Sequence, residues 1–388
     1  MSDAEVVVVG GGPGGCAAAL HLARAGREVI LVDRARFPRP KVCGEGLMPL
    51  GVAELERLGL ELAIDAQPFH GIRYAVGDRV AEGRFPGGRS GLGVRRERLD
   101  RALNEAASAA GVDVRHGVQV RALLGSGGRR VVRTSAGDLR CRAVVAADGM
   151  RSPIRRALGL ESPRRGRPRY GLRGHLRLAG TAPVLDVVEV RVEDGLELYL
   201  TPVGDRELNV AVLLEKAASR DLRGDLEGGF ARILSGVPAM APWLDGAVPD
   251  GPVGLTGPLR QEAIDVVADG VVLVGDAAGF VDGITGEGMS LTLTSARLAA
   301  ETLDGALERG DVSVAALRSY ATARARAAFD LTLLTEIVLA GIRNRWLARR
   351  VVGGLARHPD VFGRVLGVSS GGRVVDVGLG GLLRVLAA

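Results

Sequence analysis

The chain has 388 residues, too long for one ordinary domain, and its 47% hydrophobic content supplies a large core, which excludes a disordered protein. The net charge is +6, yet of 51 basic residues only Lys41 and Lys216 are lysines, an arginine bias that reads as base composition, and aromatics at 3% offer no stacking platform; no nucleic-acid partner is expected. Cys16, Cys43 and Cys141 form no CxxC pair, and His21, His70, His116, His175 and His358 show no ligand spacing, so neither a disulfide framework nor a metal site is expected.

Residues 6–9 open the chain with a continuous β-branched run, the pattern of a parallel strand buried on both faces. No basic segment precedes it, so no signal peptide is read. A glycine turn, 10–15, leads into a helix over 16–25 stopped by Gly26, and a second strand over 28–32 ends on Asp33. That is one βαβ unit. Residues 34–49 read as an ordered loop, 51–58 as a helix and 70–94 as a hairpin excursion. A helix spans 95–110, with Leu99, Leu103, Ala106 and Ala107 on one face. Strands follow at 112–114, 118–123, 131–134 and 142–146. Runs at 169–178, 186–193, 196–202 and 206–214 suggest an antiparallel meander. A second α/β piece returns with a strand at 270–274, a glycine-rich loop at 276–286 and a helix at 287–303. From Ser313 onward the chain is helical and basic.

The fold class is therefore α/β with an α+β insert: a Rossmann-like nucleotide-binding domain, an antiparallel-sheet substrate domain and a helical C-terminal region. The nucleotide-binding parts are 1–69, 95–163 and 253–312. The substrate domain is 164–252 with an excursion at 70–94, and the helical region is 313–388. The longest apolar stretch, 329–342, holds Asp330 and Glu336 and is too short to span a bilayer, so a cytoplasmic protein is expected.

Gly10, Gly12 and Gly15 satisfy GxGxxG directly after a strand and at the opening of a helix. The first permits the tight turn, the second admits a pyrophosphate and the third lets helix and strand touch. Asp33 is placed to accept from a ribose 2′-hydroxyl and disfavours a 2′-phosphate there, so the site holds FAD or NAD. Two further motifs bear on which. Asp148-Gly149-Met150-Arg151-Ser152-Pro153-Ile154-Arg155 closes one strand, and Val274-Gly275-Asp276-Ala277-Ala278-Gly279 closes another.

With these three motifs in order, the chain resembles the FAD-dependent aromatic hydroxylase and geranylgeranyl reductase superfamily over nearly its whole length. The resemblance implies that Asp276 bonds the ribityl and pyrophosphate end of FAD, that Arg96 contacts FAD and that Val120 lies at the adenine. N–H groups at Gly286, Glu287 and Gly288, opening the next helix, would face the negative charge of reduced flavin. The cofactor set is completed by Pro13 and Gly14 in the turn, by Arg34, Lys41, Cys43 and Gly44 in the loop, and by Gly149, Gly275 and Met289 beside the later motifs.

The segments 41–47 and 284–289 look like the geranylgeranyl reductase branch. That branch carries Tyr-x-Trp-x-Phe-Pro on a substrate-domain strand, whereas this chain reads Glu197-Leu198-Tyr199-Leu200-Thr201-Pro202. The loss falls on the substrate wall. Monooxygenation of an apolar phenolic, polyketide or lipid-like molecule is accordingly placed first and reduction of an isoprenoid or polyene double bond second. A non-catalytic lipid- or prenyl-binding module is kept as a third reading. Halogenation would need Trp-x-Trp-x-Ile-Pro, and Trp243 and Trp346 stand alone. The catalytic candidates are Cys43, Glu45, Glu287 and Tyr199, with ordinary loop or filler roles as their alternatives. His175, alternating within a strand, is expected at a polar surface position, with a substrate-facing one as its alternative. No second GxGxxG occurs, so electrons would come from transiently bound NAD(P)H or a partner protein. The basic amphipathic tail, from Arg343, Arg345, Arg349 and Arg350 to Arg357 and Arg364, fits a helix packed on the core, a lid, or peripheral membrane contact, and Gly353-Gly354 interrupts it.

Overall fold

The computed structural model describes residues 2–60, 65–163, 166–222, 224–342 and 344–387; Arg343 of the basic tail lies outside them. The all-valine strand Val6–Val9 is the centre of a six-stranded sheet. It pairs in parallel with Val29–Asp33 on one side and Ala143–Ala146 on the other, Val6 facing Val29 and Ala143. Val271–Leu273 and Asp113–His116 extend the parallel set, and Val267–Ala268 closes it antiparallel. Buried on both faces, the strand needs apolar residues at every position rather than alternate ones. Helices Pro13–Arg24, Arg96–Ala109 and Gly288–Glu308 cover one face of this sheet. A three-stranded sheet, Val120–Leu124, Arg130–Thr134 and Gly137–Cys141, covers the other. The last of those strands is not expected from the sequence, because Gly137-Asp138 lacks strand-forming residues and the pairing with Arg130–Thr134 supplies them a partner instead.

The second sheet is larger than the expected meander. Arg169–Arg177, Glu207–Glu215, Leu196–Gly204 and Val188–Glu193 are antiparallel neighbours, but Val188–Glu193 then pairs in parallel with Gly71–Val76. The 70–94 excursion thereby joins the same sheet, which is mixed rather than antiparallel. Along Leu196–Gly204 the residues alternate in facing. Leu198 and Leu200 enter a core shared with Phe230, Leu234 and Trp243, while Tyr199 packs with Val190 and Leu213 toward the other side.

Over that second face lie the helices Arg345–Arg357, Pro359–Val368 and Leu379–Ala387, behind the long helix Val314–Ile342. Gly353-Gly354 does not break its helix. A Cβ on Gly354 would stand 2.0 Å from the Val385 carbonyl oxygen, so this glycine lets two helix backbones touch. Gly83 serves the same purpose at the sheet, where a Cβ would meet the Phe362 ring at 2.8 Å. Among the described residues no helix is long and apolar enough to cross a membrane, and no group of His, Cys, Asp and Glu could hold a metal ion.

Candidate active site

The motif turns converge at the carboxyl ends of the parallel strands, where open α/β sheets bind ligands. Gly10 sits at φ 111°, and a Cβ there would fall 2.2 Å from the Ala147 carbonyl oxygen; a Cβ on Gly15 would fall 1.8 Å from that of Gly10. These two glycines are contacts between backbones. Gly12 differs, because a Cβ there would meet only guanidinium nitrogens of Arg39 and Arg96, at 3.9 and 4.0 Å. Its open side thus faces two cations and the first turn of the Pro13–Arg24 helix, which holds no acid. An anionic diphosphate fits that cradle. Arg96 is buried and locked by Asp100, with donor–acceptor distances of 2.8 and 3.0 Å. Asp33 accepts from the N–H of Gly11 and of Ala35, both at 2.7 Å, and lines the cavity beside Arg34, Val120 and Lys41.

Asp148 and Asp276 line the same space. Asp148 accepts from the Ile154 N–H at 3.1 Å while its Oδ1 is buried without a partner. Burial pushes the Asp276 carboxyl up from its ordinary range, against the pull of Lys41 and Arg96. Arg155, which the sequence reading quotes in its motif without a role, is fully buried. It donates to the carbonyls of Asp276, Ala277 and Met150 at 3.3, 2.9 and 2.8 Å, tying the two later motifs together. A buried arginine among motif glycines was the signal available.

The 41–47 loop is pinned to the second sheet. Arg173 donates to the Lys41 carbonyl at 3.0 Å, and Asn209 to that of Cys43 at 3.1 Å. Glu45 adopts φ 58°, unusual for a side-chain-bearing residue. Its carboxylate is consumed by His175 Nε2 at 2.6 Å and by the Arg96 N–H at 3.0 Å, so it orders the loop. His175 is therefore not a surface residue: it is 5% exposed, because strand alternation turns it onto the buried Glu45. The Cys43 thiol is half-buried and accepts weakly from the Glu45 N–H at 3.4 Å. Gly286, Gly288 and Met289 line the cavity. Glu287 between them is buried, both its oxygens lack partners, and burial pushes its carboxyl up to about 7 despite the Ser369 and Ser290 hydroxyls nearby.

The cavity measures about 1040 Å³ and continues from the glycine turn into a chamber between the second sheet and the C-terminal helices. Chamber walls are aliphatic, among them Ile72, Val190, Leu213, Val338, Val352 and Leu366. Tyr74 and Tyr199 interrupt them. A smaller cavity of about 240 Å³ lies behind the 279–288 segment against the Val314–Ile342 helix, and shares Asp276, Thr285 and Gly288 with the large one. Asp282 and Arg324 line it.

Residues 3–192 match the family model described as an FAD binding domain. Menaquinone reductase of Mycobacterium tuberculosis is 34% identical over 329 residues, covering 78% of this chain and 77% of that protein. Digeranylgeranylglycerophospholipid reductase 2 of Methanopyrus kandleri is 30% identical, with 81% of each chain covered. Among solved structures, a flavoprotein/dehydrogenase from Cytophaga hutchinsonii superposes with a TM-score of 0.83 at 21% identity, covering 95% of this chain and 92% of that one.

Proposed function

The chain belongs to the superfamily of FAD-dependent oxidoreductases that holds the aromatic hydroxylases and geranylgeranyl reductases, and within it we propose that the protein reduces carbon–carbon double bonds of a long isoprenoid chain. The observation that carries this reading is the shape and lining of the chamber. It runs from the glycine cradle to the outermost helix, Leu379–Ala387, through side chains that offer dispersion contact and almost no hydrogen bonds. A polyprenyl tail has no hydrogen-bonding groups to leave unpaired in such a space, whereas a phenol needs fixed polar partners along its rim. The reductase names of the relatives at 34% and 30% identity point the same way, which moves reduction ahead of the monooxygenation favoured by the altered Tyr-x-Trp-x-Phe-Pro segment.

Arg39 and Arg96 would hold the diphosphate over Gly12, Asp33 the adenosine ribose, and Asp276 the ribityl side, while the start of the Gly288–Glu308 helix would face the pyrimidine edge. Once bound and reduced, FAD supplies the electron pair and the hydrogen that the double bond takes up. This chain's residues position that chemistry: the pinned 41–47 loop closes one side of the cavity, and the aliphatic chamber excludes water from the reacting carbons. Transiently bound NAD(P)H is the electron source in this reading, with a donor protein as the second option.

The chamber's far end supports a membrane-face location within the cytoplasm. Val385 and Leu386 line the chamber, while Leu379 and Leu383 on the same helix are 79% and 62% exposed. Trp346, 66% exposed beneath Arg350, adds to that apolar surface. A bilayer with anionic headgroups fits this pairing of apolar and cationic groups. The test is anaerobic incubation of the dithionite-reduced, FAD-loaded protein with menaquinone or a digeranylgeranyl glycerophospholipid, followed by mass spectrometry. A gain of hydrogen pairs in the side chain is expected. An unchanged lipid, together with an oxygenated product from a phenolic panel in air, would overturn the reading.

A further inference from the structure

Reducing an alkene consumes one proton in addition to the hydrogen and electron pair from reduced FAD, and a chamber filled by a lipid leaves no water beside the acceptor carbon. Resting on the reductase reading above, we propose that Tyr199 is the proton donor of the chamber, with Glu197 as its proton store.

The arrangement is specific. Glu197, Tyr199 and Thr201 alternate on the same face of the Leu196–Gly204 strand, and Thr201 Cγ2 would lie 3.6 Å from a Cβ on Gly46, in the loop that closes the flavin side. One pleat repeat, roughly 7 Å, separates Tyr199 from that position. Leu213, cross-strand from Glu197, would lie 3.6 Å from a Cβ on Gly283, just before the helix that faces the cofactor. The cluster therefore stands at the cofactor end of the chamber. Tyr199 lines the chamber, and its hydroxyl donates to Glu197 Oε2 at 3.1 Å. The same oxygen accepts from Arg169 Nη2 at 2.6 Å, and Arg169 Nη1 lies 3.5 Å from Asp282 Oδ1. Asp282 lines the small cavity. A chain of polar contacts thus links the two cavities through an otherwise apolar wall.

Glu197 is 7% exposed at a position where alternation on this face calls for an aliphatic residue. Burial holds its carboxyl above the ordinary range, against the opposing charge of Arg169, and Asp282 adds to the rise. The charged and titratable groups facing it are Arg169 from the Arg169–Arg177 strand, Tyr199 from its own strand, Tyr74 from Gly71–Val76, and Asp282 from the segment before the helix. In the step itself the Tyr199 O–H bond breaks as the new C–H bond forms on the second alkene carbon. As the phenol O–H swings from Glu197 to the alkene, the protonated carboxyl turns donor and passes its proton to the phenol oxygen, so no tyrosinate accumulates. The π bond is lost, the first carbon receives its hydrogen and electron pair from the cofactor, and Glu197 is left as a carboxylate already paired with Arg169. A solvent proton, taken up once the product has left the chamber, restores it.

The experiment uses the FAD-loaded protein, reduced anaerobically, with a digeranylgeranyl glycerophospholipid in detergent micelles as the probe and flavin reoxidation as the readout. Tyr199→Phe is expected to slow the oxidative step about 100-fold, the lower end for a general acid, with flavin reduction and FAD affinity unchanged. Glu197→Gln is expected to slow it similarly and to abolish its pH dependence. In the wild type the rate falls as pH rises through the ionisation of Glu197, because only the protonated carboxyl can give. Infrared difference spectra give an independent readout: a buried carboxylic-acid carbonyl band present in the wild type and missing in Glu197→Gln. Turnover within twofold of wild type in Tyr199→Phe, or the absence of that band at low pH, overturns the relay. A wild type that reduces no probe while showing the band refutes the reductase reading and leaves the proton store standing.

Discussion

The cofactor cradle and the apolar chamber share one cavity, yet they are built on opposite principles. The cradle is made of backbone: glycines at which an added Cβ would fall near 2 Å from a carbonyl oxygen, helix N–H groups, and arginines fixed by buried partners. Each element is a short motif, and the motifs meet so closely that a single added atom is decisive. The chamber is made of interchangeable aliphatic side chains drawn from strands near residues 72 and 190 and helices beyond 334, so no one of them is. Specificity by exclusion is expensive per atom, whereas specificity by volume is distributed.

That contrast can be broken in several places. The largest effect is expected at the turn. Gly15→Ala puts a methyl group 1.8 Å from the Gly10 carbonyl oxygen, a clash that costs more than the ~3 kcal/mol usual for overpacking, so the purified variant should carry no FAD. Arg155→Met leaves the Asp276, Ala277 and Met150 carbonyls without their donor. A loss of about 4 kcal/mol in urea unfolding is expected, and a loss below about 1 kcal/mol would show the clamp to be ornamental. Glu287 lies at the border of the two regions, and its sign is set by burial. Below about pH 4.5 both folded and unfolded chains keep its proton; between there and about 7 only the folded chain does. Stability therefore falls by about 3 kcal/mol as pH rises through that window and stays low above it. Glu287→Gln should flatten this slope in thermal melts. Asp276→Ala removes a charged acceptor from the cradle and should weaken FAD by roughly 1.5–3 kcal/mol in a fluorescence titration. At the small end, Val190→Ala in the chamber should cost about 1 kcal/mol of stability and leave FAD affinity unchanged. An effect on FAD as large as that of Asp276→Ala would erase the distinction between the regions.

The same contrast explains what could be read from the chain alone. The βαβ opening, the three motifs and the cavity-lining positions around Gly12, Asp33, Arg96 and Asp276 were legible, because each is a local pattern with a backbone reason. The parallel seam between Val188–Glu193 and Gly71–Val76 was not, since strand partners more than 100 residues apart leave no mark on either segment. His175 reads as a surface residue until its partner Glu45 is known, and Glu197 reads as a lost aromatic until Arg169 and Asp282 are beside it. Gly354 looked like a helix breaker because its contact, the Val385 backbone, lies on another helix.

The chamber's roof has a consequence for how the molecule is made. Strand Gly71–Val76 is covered by helix Arg345–Arg357 and by Phe362, some 270 residues later in the chain. During synthesis the floor of Ile72, Val76, Val188 and Val190 emerges long before anything can cover it. For that interval the nascent chain displays an apolar sheet to the ribosome's surroundings, the kind of surface that chaperones capture and that aggregates when they do not. Supply of a greasy ligand or of FAD during translation would shorten the exposure, so recovery of soluble protein becomes a function of what the growing chain meets before its last helices arrive.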